Sequence, residues 1–463
     1  CLYRILSHCL FLDYYEVAVI FETSSRVATG CLKNQIDWYD CCASLNQKLF
    51  RGIEILKGDK EEVLLPPDRY PSRVPRIGLY TGSGTSHSWL WFVDLFDRMF
   101  FCDVIFLDEK MVQGGLLKNL DIFAMSGGDT IRIAEGLGAE GAVEIEDFIR
   151  AGGVYIGSCA GAYLPLKSSK QYLDRFNFVD IKIANLSKTE PTAIQSSRKA
   201  TTAYGCDYVY HPVREAVRLS STRKGPFCGV GNFLAPLYGG PSMMTTNSSE
   251  ILARYEGFTD KTMFLVDETL AQKTLFGKVA AARSEFGHGA LYLFGPHFEH
   301  PHFPEANYLV AAAIFWDMKN ANVNKIVGDD EVILDGVKKK ELLRDIRREI
   351  SNARIVSVGL EATSVRWAIG CKIYQPEKIR VFLEAIWKRL STLERLPKIR
   401  LSNRTLERIT PCACEVTRIL REMKSRIDDG LDTLGIAPHF FDSLRRLTMF
   451  CLQIYFDSLQ LDN

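Results

Sequence analysis

Short apolar runs alternate with longer amphipathic stretches between residues 76 and 160. The apolar runs are typical of buried strands and lie at 77–80, 103–107, 121–125 and 154–156. Helices are predicted between them at 88–99, 111–118 and 141–151. Strands that alternate with helices at this spacing indicate a parallel sheet with helices on both faces. In such α/β sheets the functional loops lie beyond the carboxyl ends of the strands.

The pattern changes after residue 164 and favours short strands and turns. Antiparallel strands are predicted at 204–212, 214–219, 233–241 and 251–255. A further apolar strand, 290–294, precedes a helix that is predicted from Glu305 to about Lys319. We therefore expect the parallel sheet to carry an antiparallel elaboration and to close with one more strand and helix.

Beyond residue 320 the apolar positions recur at spacings of three and four, which predicts amphipathic helices. These helices are expected at 338–353, 376–393, 414–427 and 438–459, separated by Gly-containing breaks. They predict a small C-terminal helical bundle for docking a protein partner or for oligomerisation. The predicted domains are an N-terminal appendage of unknown fold (1–72), an α/β domain (73–320) and a helical domain (321–463), with a Pro-rich linker before residue 76.

Composition narrows the class of protein. The formal net charge of +1 provides no bulk attraction to nucleic acid or to an anionic membrane, so neither partner is expected. The longest apolar runs are too short to span a bilayer. The 13 cysteines are scattered without any C-x-x-C spacing, so no metal site is predicted, and reduced thiols of a cytoplasmic protein fit better than secreted disulfides.

The stretch 152–163, GGVYIGSCAGAY, contains the strongest chemical signal. An apolar strand leads into Gly157-Ser158-Cys159-Ala160-Gly161, which is the cysteine form of the nucleophile elbow. The sharp strand-to-helix turn lifts the thiol above the sheet, at a helix N-terminus that favours thiolate. A buried structural cysteine in a small-residue turn is the alternative, and it is less favoured because strand, glycines and cysteine rarely coincide.

Two further motifs follow other apolar strands of the predicted sheet. His297 and Glu299 follow the apolar strand 290–294, and at this spacing the carboxylate can orient the imidazole as a base for Cys159. Helix capping by His297 and a solvated Glu299 are the alternatives. Gly127 and Gly128 follow another strand, and with the N–H of Ala160 they predict an oxyanion hole.

The small-residue loop 81–86 contains a G-x-G after the first strand. It lacks the third glycine and the acidic residue of a dinucleotide fingerprint, so NAD binding is not expected and no cofactor is predicted. Because this loop lies at the same sheet edge, we expect it to contact a substrate. The residues expected to bind the substrate are Ser83, Gly84, Tyr163, Tyr238, Gly239 and Gly240.

Several segments together carry a family likeness. Over roughly residues 75–320 the chain resembles the N-terminal domain of biotin-protein ligases in SGGD, GSCAGAY, APLYGGP, ILARYEG and EFGHGALYLFGPHFEHP. That domain is similar to class I glutamine amidotransferases, and the likeness implies their flavodoxin-like parallel sheet. It also implies Cys159 as nucleophile, His297 as base and Glu299 as orienting acid.

The chain departs from the family pattern at two positions. Ser126 stands where proline usually precedes the glycine pair, and Phe298 replaces the usual proline between His297 and Glu299. The second change predicts a less rigid turn, although neither removes a catalytic group. No GRGR-type ligase motif is present, so biotin ligation is not expected.

Three functions remain open from the sequence. The leading hypothesis is a cytoplasmic cysteine-nucleophile hydrolase or amidotransferase that acts on the carbon–nitrogen bond of a small amide. The second is a binding or regulatory module that keeps the fold without catalysis. The third is a peptidase of the same superfamily.

Overall fold

The structure is a computed structural model that describes residues 74–99, 101–185, 211–222, 225–228, 230–245, 249–318, 331–370 and 372–462. The predicted appendage 1–72 and most of the predicted strand 204–212 lie outside the described residues. The predicted domain boundaries therefore stay predictions.

Five parallel strands form the centre of the molecule. They are β1 (Ile77–Tyr80), β2 (Val104–Leu107), β3 (Ile122–Met125), β4 (Val154–Ser158) and β12 (Gly289–Phe294). Their spatial order is β2-β1-β3-β4-β12, which is the flavodoxin-like order 2-1-3-4-5. Nearly every residue of these strands is buried, as expected for a sheet covered on both faces. The predicted α/β class and its parallel sheet are confirmed.

Seven more strands extend this sheet on the β12 side with antiparallel pairing. They are β5 (Ile181–Ile183), β6 (Val213–Ser221), β7 (Asn232–Leu237), β8 (Met243–Thr245), β9 (Glu250–Phe258), β10 (Met263–Phe264) and β11 (Val279–Phe286). β11 joins the two parts, because it pairs antiparallel with β12 on one side and with β9 on the other. The predicted antiparallel elaboration is thus one continuous sheet with the parallel core.

Helices of the α/β part connect and cover these strands. They are α1 (Trp89–Arg98), α2 (Glu109–Gln113), α3 (Thr130–Arg150), the single turn α4 (Ala160–Tyr163), α5 (Glu268–Leu275) and α6 (Pro304–Asp317).

Two helices differ from the sequence-based expectation. The helix predicted at 141–151 begins earlier, at Thr130, because the Asp129 carboxylate caps it by accepting from two backbone N–H groups. Gly138, with φ 61°, interrupts the helix. The helix predicted at 111–118 is divided into α2 and a 3₁₀ turn by the left-handed Gly115 (φ 80°).

The C-terminal region contains four long helices, as predicted. They are α7 (Gly336–Glu361), α8 (Pro376–Arg395), α9 (Asn403–Asp428) and α10 (Ala437–Leu459). Two small antiparallel pairs accompany them: β13 (Glu331–Leu334) with β16 (Ile399–Ser402), and β14 (Trp367–Ile369) with β15 (Lys372–Tyr374). Neither pair joins the main sheet.

This helical region packs directly on the α/β core. Trp89 of α1 contacts Phe382 of α8, and Phe106 of β2 contacts Phe456 of α10, with ring centroids 6.1 and 5.8 Å apart. The buried guanidinium of Arg389 pairs with Asp94 on α1, at 2.7 Å. One hydrophobic core therefore spans both parts of the chain.

Gln453 of α10 covers the edge of the sheet at β2. Its side-chain oxygen accepts from the N–H of Phe106 at 3.1 Å, and its amide nitrogen donates to the carbonyl of Val104 at 3.2 Å. The side chain thus satisfies two backbone groups of a strand that, among the described strands, pairs on its β1 side alone. Among the described residues, no helix has the length and apolarity to cross a membrane.

Candidate functional site

Cys159 occupies a strained turn at the carboxyl end of β4. Its φ of 53° and ψ of −108° are unfavourable for a residue with a side chain, as expected for a nucleophile elbow. The two flanking glycines allow this turn, because a Cβ on Gly157 would lie 2.3 Å from the carbonyl oxygen of Gly161. A Cβ on Gly161 would in turn lie 2.2 Å from the carbonyl oxygen of Met125.

The elbow is tied to the strands on either side of β4. The N–H of Cys159 donates to the carbonyl of Phe294 at the end of β12, at 2.9 Å. The N–H of Gly161 donates to the carbonyl of Ser126 after β3, at 3.1 Å. These bonds fix the thiol beside the loops that follow both neighbouring strands, where the motifs predicted it.

His297 and Glu299 reach the thiol from the end of β12. The His297 imidazole is hydrogen bonded to Cys159, and its Nδ1 lies 2.7 Å from Oε1 of Glu299. Because Glu299 engages Nδ1, the other ring nitrogen is left for the sulfur. All three side chains are buried. The structure thus brings together the three residues that were predicted from the sequence as the catalytic residues.

A serine completes this chain of hydrogen bonds. The hydroxyl of Ser126 donates to Oε1 of Glu299 at 2.7 Å, and it also lies 2.9 Å from the hydroxyl of Ser88. Ser126 is the residue that replaces the usual proline before the glycine pair. The replacement adds a hydrogen-bond donor to the carboxylate that orients His297.

The ionised forms of Cys159, His297 and Glu299 stabilise one another. Burial disfavours the thiolate of Cys159, but the charge and hydrogen bond of His297 outweigh it and hold the pKa of the thiol below its ordinary value. Burial also disfavours the imidazolium, yet Glu299 and Cys159 raise the pKa of His297. The pKa of Glu299 is lowered, because His297 and the Ser126 hydroxyl outweigh its burial. This arrangement favours a thiolate–imidazolium pair.

The turn that carries His297 is held by packing. Phe298 is fully buried and stacks on Phe294 with ring centroids 4.6 Å apart. The side-chain amide of Asn307 on α6 donates to the carbonyls of Phe298 and His300, at 2.7 and 2.9 Å. A buried ring and two hydrogen bonds from an amide thus hold this turn, and the expectation that it is less rigid than a turn with proline stays a prediction.

Aromatic rings surround the free side of His297. Trp91 of α1 makes an edge contact with the imidazole, with centroids 4.9 Å apart, and Tyr238 lies at 5.9 Å. The hydroxyl of Tyr238 donates to Glu215 at 2.8 Å, which holds this ring in place. His87 lies close by, and burial together with the charge of Lys378 keeps its pKa well below its usual value.

Backbone N–H groups are available beside the thiol. The carbonyl of Gly127 accepts from the N–H of Ser86 at 3.0 Å, which fixes the loop after β3. In the part of the chain that the structure describes, the N–H groups of Gly127 and Gly128 donate no hydrogen bond. Gly127 faces the His297 imidazole. The position of these glycines and of Ala160, directly after Cys159, fits an oxyanion hole, which stays a prediction.

The six predicted substrate-binding residues fall into two groups. Ser83 and Gly84 line a cavity of about 260 Å³, and Tyr238 lies against His297. The other three are packed into the protein: Tyr163 is buried with its hydroxyl hydrogen bonded to Asn185, Gly239 faces the ring of His211, and Gly240 lies against the backbone of Gly295. Their substrate contacts stay predictions.

Sequence reasoning did not assign roles to several side chains near the thiol. Ser126 was noted only as a departure from the family, and Trp91 belonged to a predicted helix without any motif. Lys372 comes from the C-terminal region, and its charge helps to lower the pKa of Cys159. No local pattern points to a lysine 213 residues beyond the nucleophile (372 − 159). Across the described ranges, no three His, Cys, Asp or Glu residues are placed to hold a metal ion.

Comparison with known proteins agrees with the likeness seen in the motifs. Residues 77–346, more than half of the chain, match the family described as "Biotin-protein ligase, N terminal". No curated protein matches the chain significantly.

The solved structures that match this chain share little sequence with it. A glutamine amidotransferase has 14% identity and a TM-score of 0.32, over 51% of this chain and 98% of that one. A glutamine amidotransferase from Thermotoga maritima has 10% identity and a TM-score of 0.30, over 51% and 82%. A β-galactosidase from Bacillus circulans sp. alkalophilus has 12% identity and a TM-score of 0.28, over 52% and 30%.

Proposed function

The chain belongs to the biotin-protein ligase N-terminal family, and from this premise we propose that it is a cysteine-dependent hydrolase or amidotransferase. Its substrate would be a small molecule with a carbon–nitrogen amide bond. The observation that supports this proposal is the buried, hydrogen-bonded series Cys159–His297–Glu299 at the carboxyl ends of parallel strands.

The proposed reaction follows from the charges of the site. The thiolate of Cys159 attacks the amide carbonyl, and the oxygen of the tetrahedral intermediate accepts from backbone N–H groups near Gly127, Gly128 and Ala160. The imidazolium of His297 gives its proton to the leaving amine. Water, or another nucleophile, then attacks the thioester, and His297 takes up the proton of that nucleophile. Glu299 holds the imidazole and stabilises its charge throughout.

A non-catalytic binding module is the second candidate. The observation that favours it is burial: only 4% of Cys159 is exposed. A peptidase of the same superfamily is the third candidate.

We also propose that the protein acts in the cytoplasm. Among the described cysteines, Cys159, Cys412, Cys414 and Cys451 are free thiols, and Cys414 lies at the surface. Reduced, unpaired cysteines are typical of proteins in a reducing compartment. A protein partner for the helical region 336–459 is likewise part of this proposal.

Selective alkylation tests the nucleophile without knowledge of the substrate. At neutral pH, iodoacetamide is expected to modify Cys159 faster than the exposed Cys414, as measured by peptide mass spectrometry. His297→Ala should remove this advantage while the rate at Cys414 stays unchanged. If Cys159 reacts no faster than the surface thiol Cys414, the binding module becomes the better hypothesis. Amide hydrolysis, followed as ammonia release, should disappear in Cys159→Ala.

A further inference from the structure

A cavity of about 260 Å³ lies where the C-terminal region meets the α/β core. Ser83 and Gly84 of the first loop form one wall, and Arg132 at the start of α3 forms another. Lys372 of β15 and Arg445 of α10 close it from the C-terminal side. The cavity also adjoins the loop of the predicted oxyanion hole, because the N–H of Asp129 donates to the carbonyl of Gly84 at 2.8 Å.

The charges that line this cavity do not balance. Two of the lining residues are acidic, and both carboxylates already have partners in the protein. Asp129 caps α3, and Asp442 is paired with Arg445 and Arg446. The side chains of Arg132 and Lys372 make no hydrogen bond or ion pair within the described ranges of the chain. Two cationic side chains are thus left to face the cavity without a protein partner, so its lining favours an anion.

The hairpin that carries Lys372 has a fixed position. The indole N–H of Trp367 donates to the hydroxyl of Thr433 at 2.9 Å, and Tyr374 packs on Phe441 with centroids 4.4 Å apart. The hairpin turn touches the start of α3, since a Cβ on Gly370 would lie 2.6 Å from Asp129 Oδ2 and from Cδ of Arg132. The ammonium of Lys372 is therefore presented by a rigid support.

Lys372 connects the cavity to the nucleophile. Its side chain lines the cavity, and it also lies close enough to Cys159 for its charge to help lower the pKa of the thiol. An anionic group held by Lys372 would thus lie within reach of a molecule whose amide carbonyl is at the sulfur.

We infer that this cavity is the subsite for an anionic group, a carboxylate or a phosphate, on the amide substrate, and that Lys372 and Arg132 bind that group. The inference rests on the proposed function and adds to it the class of substrate. It also gives the C-terminal region a direct part in the site: its hairpin supplies a specificity residue to a nucleophile on the α/β core.

The first experiment compares two alkylating reagents of similar size. Iodoacetate carries a carboxylate and iodoacetamide does not, so the ratio of their rates at Cys159 reports the attraction of an anion. Both react with the same thiolate, so a shift in the thiol pKa cancels in the ratio. We expect Lys372→Gln and Arg132→Gln each to lower the ratio by about three- to fivefold. Lys261→Gln, an exposed position outside the cavity lining, should leave it unchanged.

The two proposals fail in different ways. If Cys159 reacts fast with both reagents, but neither Lys372→Gln nor Arg132→Gln changes the ratio, the nucleophile stands and the anion subsite is wrong. If Cys159 reacts no faster than the exposed Cys414 with either reagent, the proposed catalytic role is wrong.

A second experiment identifies the anion. Glutarate and inorganic phosphate are tested separately for saturable protection of Cys159 against neutral iodoacetamide. Protection by glutarate that is lost in Lys372→Gln assigns a carboxylate, and the same result with phosphate assigns a phosphate. Protection by neither compound overturns the subsite.

Discussion

Ser126 donates a hydrogen bond of 2.7 Å to the same oxygen of Glu299 that contacts His297. One carboxylate oxygen therefore joins a hydroxyl from the end of β3 to an imidazole from the end of β12. Proline at this position, as in the family pattern, would have no hydroxyl to donate. The serine lowers the pKa of Glu299 together with His297, and it keeps the carboxylate ionised inside the protein.

Ser126→Ala should weaken the site without removing any of its three main groups. Hydrogen bonds to charged groups contribute about 1.5–3 kcal/mol, and their loss leaves a buried carboxylate with fewer partners. We expect slower alkylation of Cys159 at neutral pH and a pH profile displaced toward higher pH. Ser86→Ala is the control, since its hydroxyl contacts Ser88 and Gly127 but not Glu299. Identical profiles for Ser126→Ala and wild type would contradict a role for the hydroxyl.

Glu299→Gln should reveal the state of His297. Glu299 is the largest of the influences that raise the pKa of this imidazole, and glutamine keeps the shape while removing the charge. A raised histidine pKa means that the folded protein holds its proton at pH values where a free histidine has lost it. NMR should show His297 protonated through neutral pH in the wild type and losing its proton at lower pH in Glu299→Gln. Unchanged titration would exclude the carboxylate as the cause.

Gly157→Ala should prevent formation of the elbow. The new methyl group would lie 2.3 Å from a backbone oxygen, which cannot move without breaking the turn at Gly161. We expect loss of several kcal/mol of folding free energy, or insoluble protein, measured by thermal unfolding and yield. Gly435→Ala is the matched control, because nothing lies within 4 Å of its added Cβ. A fully stable Gly157→Ala protein would show that the elbow is not as tight as described.

Asp457→Asn should stabilise the protein in a pH-dependent way. Burial raises the pKa of Asp457 to about 7 from an ordinary 3.8, and Glu331 and Asp103 act in the same direction against Arg400. Because the folded state binds this proton more tightly, wild-type stability increases as pH falls through 7 toward 4. Asparagine keeps an oxygen for the hydrogen bond from Gln453 and removes the charge.

The melting temperature of Asp457→Asn should therefore exceed that of the wild type at pH 8 and approach it near pH 4. The gain at pH 8 is limited by about 1.4 kcal/mol per unit of pKa shift. An equal change in melting temperature at both pH values would contradict titration of this carboxylate.

The sequence predicted the parts of this protein whose signals are local. Cys159 and His297 each follow an apolar strand within a recognisable motif, and the carboxyl ends of neighbouring parallel strands must meet at one edge. The sequence showed the serine at position 126 but not its role. That role depends on a hydrogen bond to Glu299, which is 173 residues away in the chain. The first part of α3 was not predicted, because its glycines disfavour a helix in the sequence pattern. The helix begins at Thr130 all the same, because Asp129 caps it.

The position of the C-terminal helices could not be predicted. Amphipathic periodicity identifies a helix and its apolar face, but not the surface on which that face packs. The contacts of Phe382 and Arg389 with α1, and of Lys372 with the cavity, are all long-range, and no motif marks them.

The side chain of Gln453 makes the backbone hydrogen bonds that a further strand beside β2 would make. By accepting from Phe106 and donating to Val104, a single amide occupies the two positions that a neighbouring peptide group would use. Without α10, β2 would present those groups, together with its apolar residues, to any other extended chain. A protein shortened before residue 437 would therefore be at risk of assembling edge to edge into aggregates, even where its own sheet had formed.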